Sequence, residues 1–314
     1  MKRTGGKISR LRTEARNSAA ARLDTSSALE ITRVINAEDA KVAPAVRRAL
    51  PQIARAIDLI AAALERGGRL LYVGAGTSGR IAALDAAECP PTFNTDPRMV
   101  QFVMAGGTKA LGAAVEANED SRALGRHDMA AKKPGKNDVV FGIAASGRTP
   151  YTIAALEYAR RHGAKAVALA CNRASALGKA ADISIVVEVG PEVVAGSSRM
   201  KAGTAQKMVL NMLSTGAMAR LGYVYGNLMV NVHLKNRKLV QRGISILESA
   251  AEVDEGQARR TLRLAGNRVP VALVMLRAGV GRWEAETCLR SAKGHVRKAI
   301  ASAIRHRTNG QGTK

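Results

Sequence analysis

Apolar residues recur along this chain in two rhythms. Over Thr25 to Asn36 and Glu38 to Arg66 they return every three or four positions, with Ile53, Ile57, Ile60, Ala61 and Leu64 on one face and Gly67 and Gly68 as a stop, which predicts two helices. Short continuous apolar runs then alternate with helical stretches: Arg69 to Val73, Met99 to Ala105, Asp138 to Ala144, Lys165 to Cys171 and Ile183 to Val189. Unbroken rather than alternating hydrophobicity, with helices between, is the signature of a parallel sheet covered on both faces. The fold class is therefore α/β, with about five strands. A long helix is predicted over Lys201 to Leu221, whose methionines read as core packing. Beyond residue 250, Ala258, Leu262, Ala265, Val269 and Ala272 recur 27 positions later as Ala285, Leu289, Ala292, Val296 and Ala299. Each copy reads as a small helical hairpin that needs a neighbour to complete its core.

Composition narrows the function. The 314 residues carry a net charge of +24, but residues 1 to 16 hold +5 of it and residues 290 to 314 hold +7. Aromatics are only 3% of the chain, too few for base-stacking platforms, and no zinc-finger or ribonucleoprotein motif occurs, so no specific nucleic-acid partner is expected. Cys89, Cys171 and Cys288 form no close pair and the five histidines show no ligand spacing, so a reducing compartment, no metal and no cofactor are expected. No apolar run has the length of a membrane span and the N-terminus lacks a signal-peptide core, which points to a cytoplasmic protein.

The chemistry gathers in three turns. Gly74-Ala75-Gly76-Thr77-Ser78-Gly79 follows the first strand and opens a helix, matching G-x-G-x-x-G. A dinucleotide site would want a carboxylate at the end of the second strand, yet that strand ends in Ala105, Gly106 and Gly107. Thr77 and Ser78 beside helix N-terminal amides suit a phosphate monoester better. Ala145-Ser146-Gly147-Arg148-Thr149-Pro150 repeats the theme after the third strand, with Thr149 as a helix cap and Pro150 in the first helical position. Gly196-Ser197-Ser198-Arg199-Met200-Lys201 repeats it again before the long helix.

Those turns, with Thr13-Glu14-Ala15-Arg16-Asn17, Asp85-Ala86-Ala87-Glu88-Cys89-Pro90-Pro91-Thr92 and Ser198-Arg199-Met200-Lys201-Ala202-Gly203-Thr204-Ala205-Gln206-Lys207, resemble the N-acetylmuramic acid 6-phosphate etherases of the sugar isomerase (SIS) superfamily, from about residue 13 to 300. The resemblance implies a five-stranded SIS-type domain plus a small helical one, and a lyase of cell-wall amino-sugar recycling that splits the D-lactyl ether of a sugar phosphate. It implies Glu88 as the acid and Glu119 as the base, with Glu116 as the alternative to Glu119. Substrate binding then falls on Thr77, Ser78, Gly79, Ser146, Gly147, Thr149, Ser197 and Ser198. Because Glu88 follows the helix that starts at the first phosphate turn, either its segment folds back or a partner chain supplies one of the two carboxylates, so a homodimer with shared sites is expected. The chain departs from the family pattern at Arg173, Asn231 and Leu234-Lys235. The domains are expected as a basic disordered arm over 1–12, the SIS domain over 13–248, a UBA-like helical domain over 249–304 and a disordered tail over 305–314. A sugar-phosphate-binding regulator, a sugar-phosphate isomerase and a transcription regulator with an SIS domain remain the alternatives.

Overall fold

The computed structural model describes residues 12–113, 118–234 and 236–311. A capping box opens α1 (Ala28–Asp39): the Glu30 amide donates to Ser27 Oγ at 3.4 Å, and the Ser27 amide donates to Glu30 Oε2 at 2.8 Å. The single helix expected over 38–66 is two, α2 (Val42–Arg47) and α3 (Leu50–Glu65). Pro51 explains the break, because it has no amide to offer the Arg47 carbonyl and its fixed φ suits the first turn of α3.

There follow β1 (Leu70–Gly74), α4 (Gly76–Phe93), β2 (Val100–Met104), α5 (Arg122–Ala131), β3 (Val139–Ile143), α6 (Pro150–Arg161), β4 (Lys165–Ala170), the short α7 (Ala176–Lys179), β5 (Ile183–Val186) and α8 (Lys201–Leu221). The five strands form one parallel sheet in the order β2-β1-β3-β4-β5, as the continuous apolar runs predict. Every residue of β1 and β3 is buried. Leu71, Val73 and Val140 face Met129 of α5 and Tyr151, Ala155 and Leu156 of α6 in one cluster. On the opposite face Tyr72 meets Phe141 edge-on, ring centroids 5.8 Å apart, and its hydroxyl donates to Asp85 of α4 at 2.8 Å. Asn211 and Ser214 of α8 donate to the other Asp85 oxygen at 2.7 and 3.1 Å, so this buried carboxylate joins β1, α4 and α8.

The chain divides into two compact units, residues 1–87 with 97–214, and residues 88–96 with 215–314. The second contains α9 (Arg237–Ala251), α10 (Glu255–Leu264), α11 (Val269–Ala278), α12 (Arg282–Ser291) and α13 (Val296–Gln311). The 27-residue repeat maps onto α10–α11 and α12–α13. The apolar positions of both copies share one cluster with Ile244, Ile246 and Leu247 of α9, the neighbour the hairpins need. The tail expected from 305 is helical through Gln311, because the stripe of Val296, Ala299, Ile300 and Ala303 keeps its face buried to the edge of that segment. The basic arm lies, apart from Arg12, outside the described residues.

The α5 and α6 helices pack so closely that a Cβ on Gly125 would stand 2.2 Å from the Tyr151 carbonyl oxygen. Gly125→Ala is therefore expected to destabilise the sheet-bearing unit by roughly 1–3 kcal/mol, read as a lower denaturation midpoint at unchanged slope.

Candidate active site at the edge of the sheet

Strand order fixes where a ligand can sit. From β1 the chain crosses outward to β2, and from β2 it returns over β1 to β3, so α4 leaves toward one face and α6 toward the other. Between the carboxyl ends of β1 and β3 a crevice opens, the switch point of a doubly wound sheet.

The first turn enters it from β1. Gly76, at φ +54°, starts α4, and the first helical acceptor found is Ala75 O, which takes the Gly79 amide at 3.3 Å. The preceding first-turn amides, of Gly76, Thr77 and Ser78, precede the intrahelical ladder and carry the positive end of the helix dipole. A Cβ on Gly79 would stand 2.6 Å from Met104 Cγ and 3.1 Å from Gly74 O, so the glycine lets the helix start hard against the sheet. Thr77 is half-buried and Ser78 buried.

The second turn enters from β3. Gly147, at φ +67°, lies against Ser175, whose Cβ would be 2.3 Å from any side chain carbon there. Ser146 Oγ accepts the Arg148 amide at 3.1 Å. Thr149 and Pro150 occupy the cap and first helical position of α6 as expected, but the Thr149 hydroxyl makes no capping bond, which leaves it available to a ligand.

The third turn is of another kind. Gly203 is the third residue of α8, and a Cβ there would lie 3.5 Å from Thr77 Cγ2 and 3.7 Å from Ser198 O, which brings the Ser197–Ser198 turn beside the first loop. The opening amides of α8 are already taken, however: Lys201 N and Ala202 N donate to the fully buried Glu192 carboxylate at 3.0 and 2.9 Å. Burial pushes the Glu192 carboxyl above its ordinary range against those two bonds. This turn offers Ser197 and Ser198 hydroxyls without a free helix terminus. Beneath it the buried Lys201 ammonium donates to Glu38 of α1 at 2.5 Å, and Glu38 also pairs with Lys41. Burial opposes ionisation of Glu38, but the bonds from Lys201 and Lys41 and the Lys201 charge outweigh it and hold the carboxyl down at about 2.

The carboxylates implied by the resemblance fall in different places. The Glu119 carbonyl accepts the Tyr151 amide at 3.0 Å, which pins its backbone to the first turn of α6 beside the second loop. The Tyr151 hydroxyl donates to Asp128 at 2.6 Å and ties α5 to the same turn. Arg80, in the first turn of α4, donates to the carbonyls of Leu111 and Ala113 at 3.2 and 2.8 Å and so holds the segment leading toward Glu119. Glu116 lies outside the described residues. Glu88 lies on α4, which continues unbroken through Pro90 and Pro91, so its segment does not fold back. About three turns, roughly 18 Å of helical rise, separate it from Gly76 along that axis. Both Glu88 and Glu119 are exposed in the single chain.

The buried brace gives a prediction. Glu38→Gln leaves the Lys201 ammonium buried without its carboxylate and is expected to cost roughly 3–5 kcal/mol at neutral pH. Because the folded carboxyl titrates below its ordinary 4.5, at about 2, the wild-type advantage is fully present above pH 4.5 and fades as pH falls toward 2. Denaturation of both proteins across that range checks it; a gap independent of pH contradicts it.

Both the sequence and the fold match known proteins. The model of the glucokinase regulatory protein N-terminal SIS domain matches residues 52–160, and the SIS domain model matches residues 121–216. The N-acetylmuramic acid 6-phosphate etherase of Aeromonas hydrophila is 52% identical over 289 residues, covering 92% of this chain and 97% of its own. That of Klebsiella aerogenes is 48% identical over 295 residues, covering 94% and 98%. Among solved structures, a phosphoheptose isomerase from Francisella tularensis shares the fold, with a TM-score of 0.50 and 21% identity over 61% of this chain and 98% of its own. Identity near one half across almost the full length of both sequences is far beyond a shared fold, and the chain belongs to the N-acetylmuramic acid 6-phosphate etherase family.

Proposed function

We propose that this protein cleaves the D-lactyl ether of N-acetylmuramic acid 6-phosphate to N-acetylglucosamine 6-phosphate and D-lactate, by elimination followed by hydration. The observation that carries the reading is the crevice between β1 and β3, where two glycine turns bearing hydroxyl side chains at the N-termini of α4 and α6 converge beside a carboxylate residue pinned to α6. A phosphate dianion is stabilised there by the α4 amides, Thr77, Ser78, Ser146 and Thr149, with Gly79 and Gly147 allowing the close approach and Ser197 and Ser198 lining the rim.

The chemistry needs a base and an acid. In the open-chain sugar the C2 proton is acidic because the C1 aldehyde takes up the electron pair as an enolate. Glu119 removes that proton. The enolate then reforms the aldehyde and expels the C3 ether oxygen, which takes a proton from Glu88 and leaves as lactate. Water then adds at C3 of the unsaturated aldehyde, giving one proton to Glu88 as its oxygen bonds to C3, while Glu119 returns its proton to C2, so that both carboxyls regain their starting state. An acid near neutral pH needs burial or a neighbouring negative charge, and Glu88 is exposed and about three turns from the first loop along α4. We therefore assign Glu88 to the site of a second copy, in a homodimer whose interface desolvates it. The reaction belongs to cell-wall amino-sugar recycling in the cytoplasm. Cys89, Cys171 and Cys288 are buried and form no disulfide among the described residues, which supports a reducing setting, and none of the described helices is long and apolar enough to cross a membrane.

Incubation with N-acetylmuramic acid 6-phosphate is expected to release D-lactate, while the unphosphorylated sugar turns over at least tenfold more slowly for loss of charge-assisted bonds worth roughly 1.5–3 kcal/mol each. Equal turnover of the two sugars contradicts the phosphate cradle. Glu119→Gln is expected to abolish lactate release and exchange of the C2 proton with deuterated water together. Glu88→Gln should retain exchange while lactate release falls by roughly 10² to 10⁴. Reversed patterns would swap the two roles, and full activity of both variants would remove them from catalysis.

A further inference from the structure

The strap formed by residues 12–17 serves neither the sheet nor the reaction as described above, yet it is firmly held. Its two ends are fixed to distant parts of the chain. The Arg12 amide donates to Asn172 Oδ1 at 3.1 Å, and Asn172 Nδ2 donates to Thr13 Oγ1 at 3.1 Å and to the Ala145 carbonyl of the second loop at 3.2 Å. Thr13 and Asn172 are both buried. Asn17 Nδ2 donates to the Pro191 carbonyl at 3.2 Å, beside the Glu192 that caps α8. Between these anchors lies Glu14, half-buried, with Oε2 3.0 Å from the point where any Cβ on Gly196 would stand. Gly196, at φ +78°, immediately precedes Ser197 and Ser198. Among the described residues no donor engages the Glu14 carboxylate.

We infer that Glu14 is a substrate-binding residue that accepts a hydrogen bond from the C5 hydroxyl of the open-chain sugar phosphate, and so selects the open form over the ring. The inference rests on the function proposed above. A carboxylate at the third turn repels a phosphate dianion, and the α8 amides that could draw one in are occupied by Glu192, so the phosphate belongs to the first two loops. What the third turn accommodates is a donor close to that phosphate. The atom next along the sugar from C6 is C5. In the pyranose its oxygen is the ring ether, which has no proton and is repelled by a carboxylate. In the open chain it is a hydroxyl, which donates. Since only the open chain has the aldehyde that acidifies C2, Glu14 favours the form that reacts. Anchoring the strap at both ends holds the carboxylate in place before substrate arrives.

The test compares two ligands that cannot interconvert. N-acetylglucosaminitol 6-phosphate is open because its aldehyde is reduced, and the methyl glycoside of N-acetylglucosamine 6-phosphate is locked as a ring. Titration calorimetry on the full chain is expected to show Glu14→Ala losing roughly 10- to 100-fold in affinity for the alditol, the scale of a hydrogen bond to a charged group, with affinity for the glycoside held. Glu14→Gln keeps an oxygen acceptor without the charge and is expected to lose less, and it carries the comparison if the alanine variant does not fold. Equal losses for both ligands, or no loss for either, overturn the assignment. Lactate release by the unaltered protein is read in parallel, so that failure of the reaction is told apart from failure of the role given to Glu14.

Discussion

The site depends on the reversal of strand order at β1. A parallel sheet must send a helix away from the end of each strand, and where two neighbours send theirs to opposite faces their turns cannot cover one another. The ends of β1 and β3 are that place in this chain. The glycines follow from the same constraint. Gly74 and Gly79 let α4 begin within contact of β1, and Gly147 lets the second turn pass over Ser175, so two helix N-termini open on one crevice. The dipoles of both helices and the first-turn amides of α4 favour a dianion before any side chain is considered.

Against that shared geometry, the third turn is set apart by a buried carboxylate. Glu192 occupies the amides of α8, while Lys201 in the same turn reaches back to Glu38 of α1. Burying these charges is costly, and a well-packed apolar substitute would serve stability about as well. What the network achieves is position: it fixes where α8 starts, and with it Ser197, Ser198 and the contact between Gly203 and Thr77. The strap carrying Glu14 is tied to the same segment through Pro191 and to the second loop through Ala145.

Much of this was legible in the sequence, and the parts that were not share a cause. Strand positions followed from the continuous apolar runs, each within a few residues of the structure, because burial on both faces leaves no alternation to misread. The extent of α8 and the helical pairs of the 27-residue repeat followed from spacing alone. Local chemistry also explains the split at Pro51, although the apolar period runs straight through it. The ion pair of Glu38 with Lys201 had no sequence signal, since the partners are far apart along the chain and each looks like an ordinary surface charge. Glu192 was hidden for the same reason. Thr149 was legible as a cap by position, but only the structure shows its hydroxyl spared from capping. Family resemblance named Glu88 and Glu119; the course of α4 sets the first well apart from the loop at which that helix begins.

The central claim is that the sugar phosphate is held at the crevice between β1 and β3, and a crystal structure with N-acetylglucosamine 6-phosphate bound tests it most directly. The account predicts the phosphate oxygens within hydrogen-bond reach of the Gly76 to Ser78 amides and of the Ser146 and Thr149 hydroxyls. Phosphate bound instead in the cleft between β2 and α5, against Gly107, Thr108 and Lys132, would contradict it.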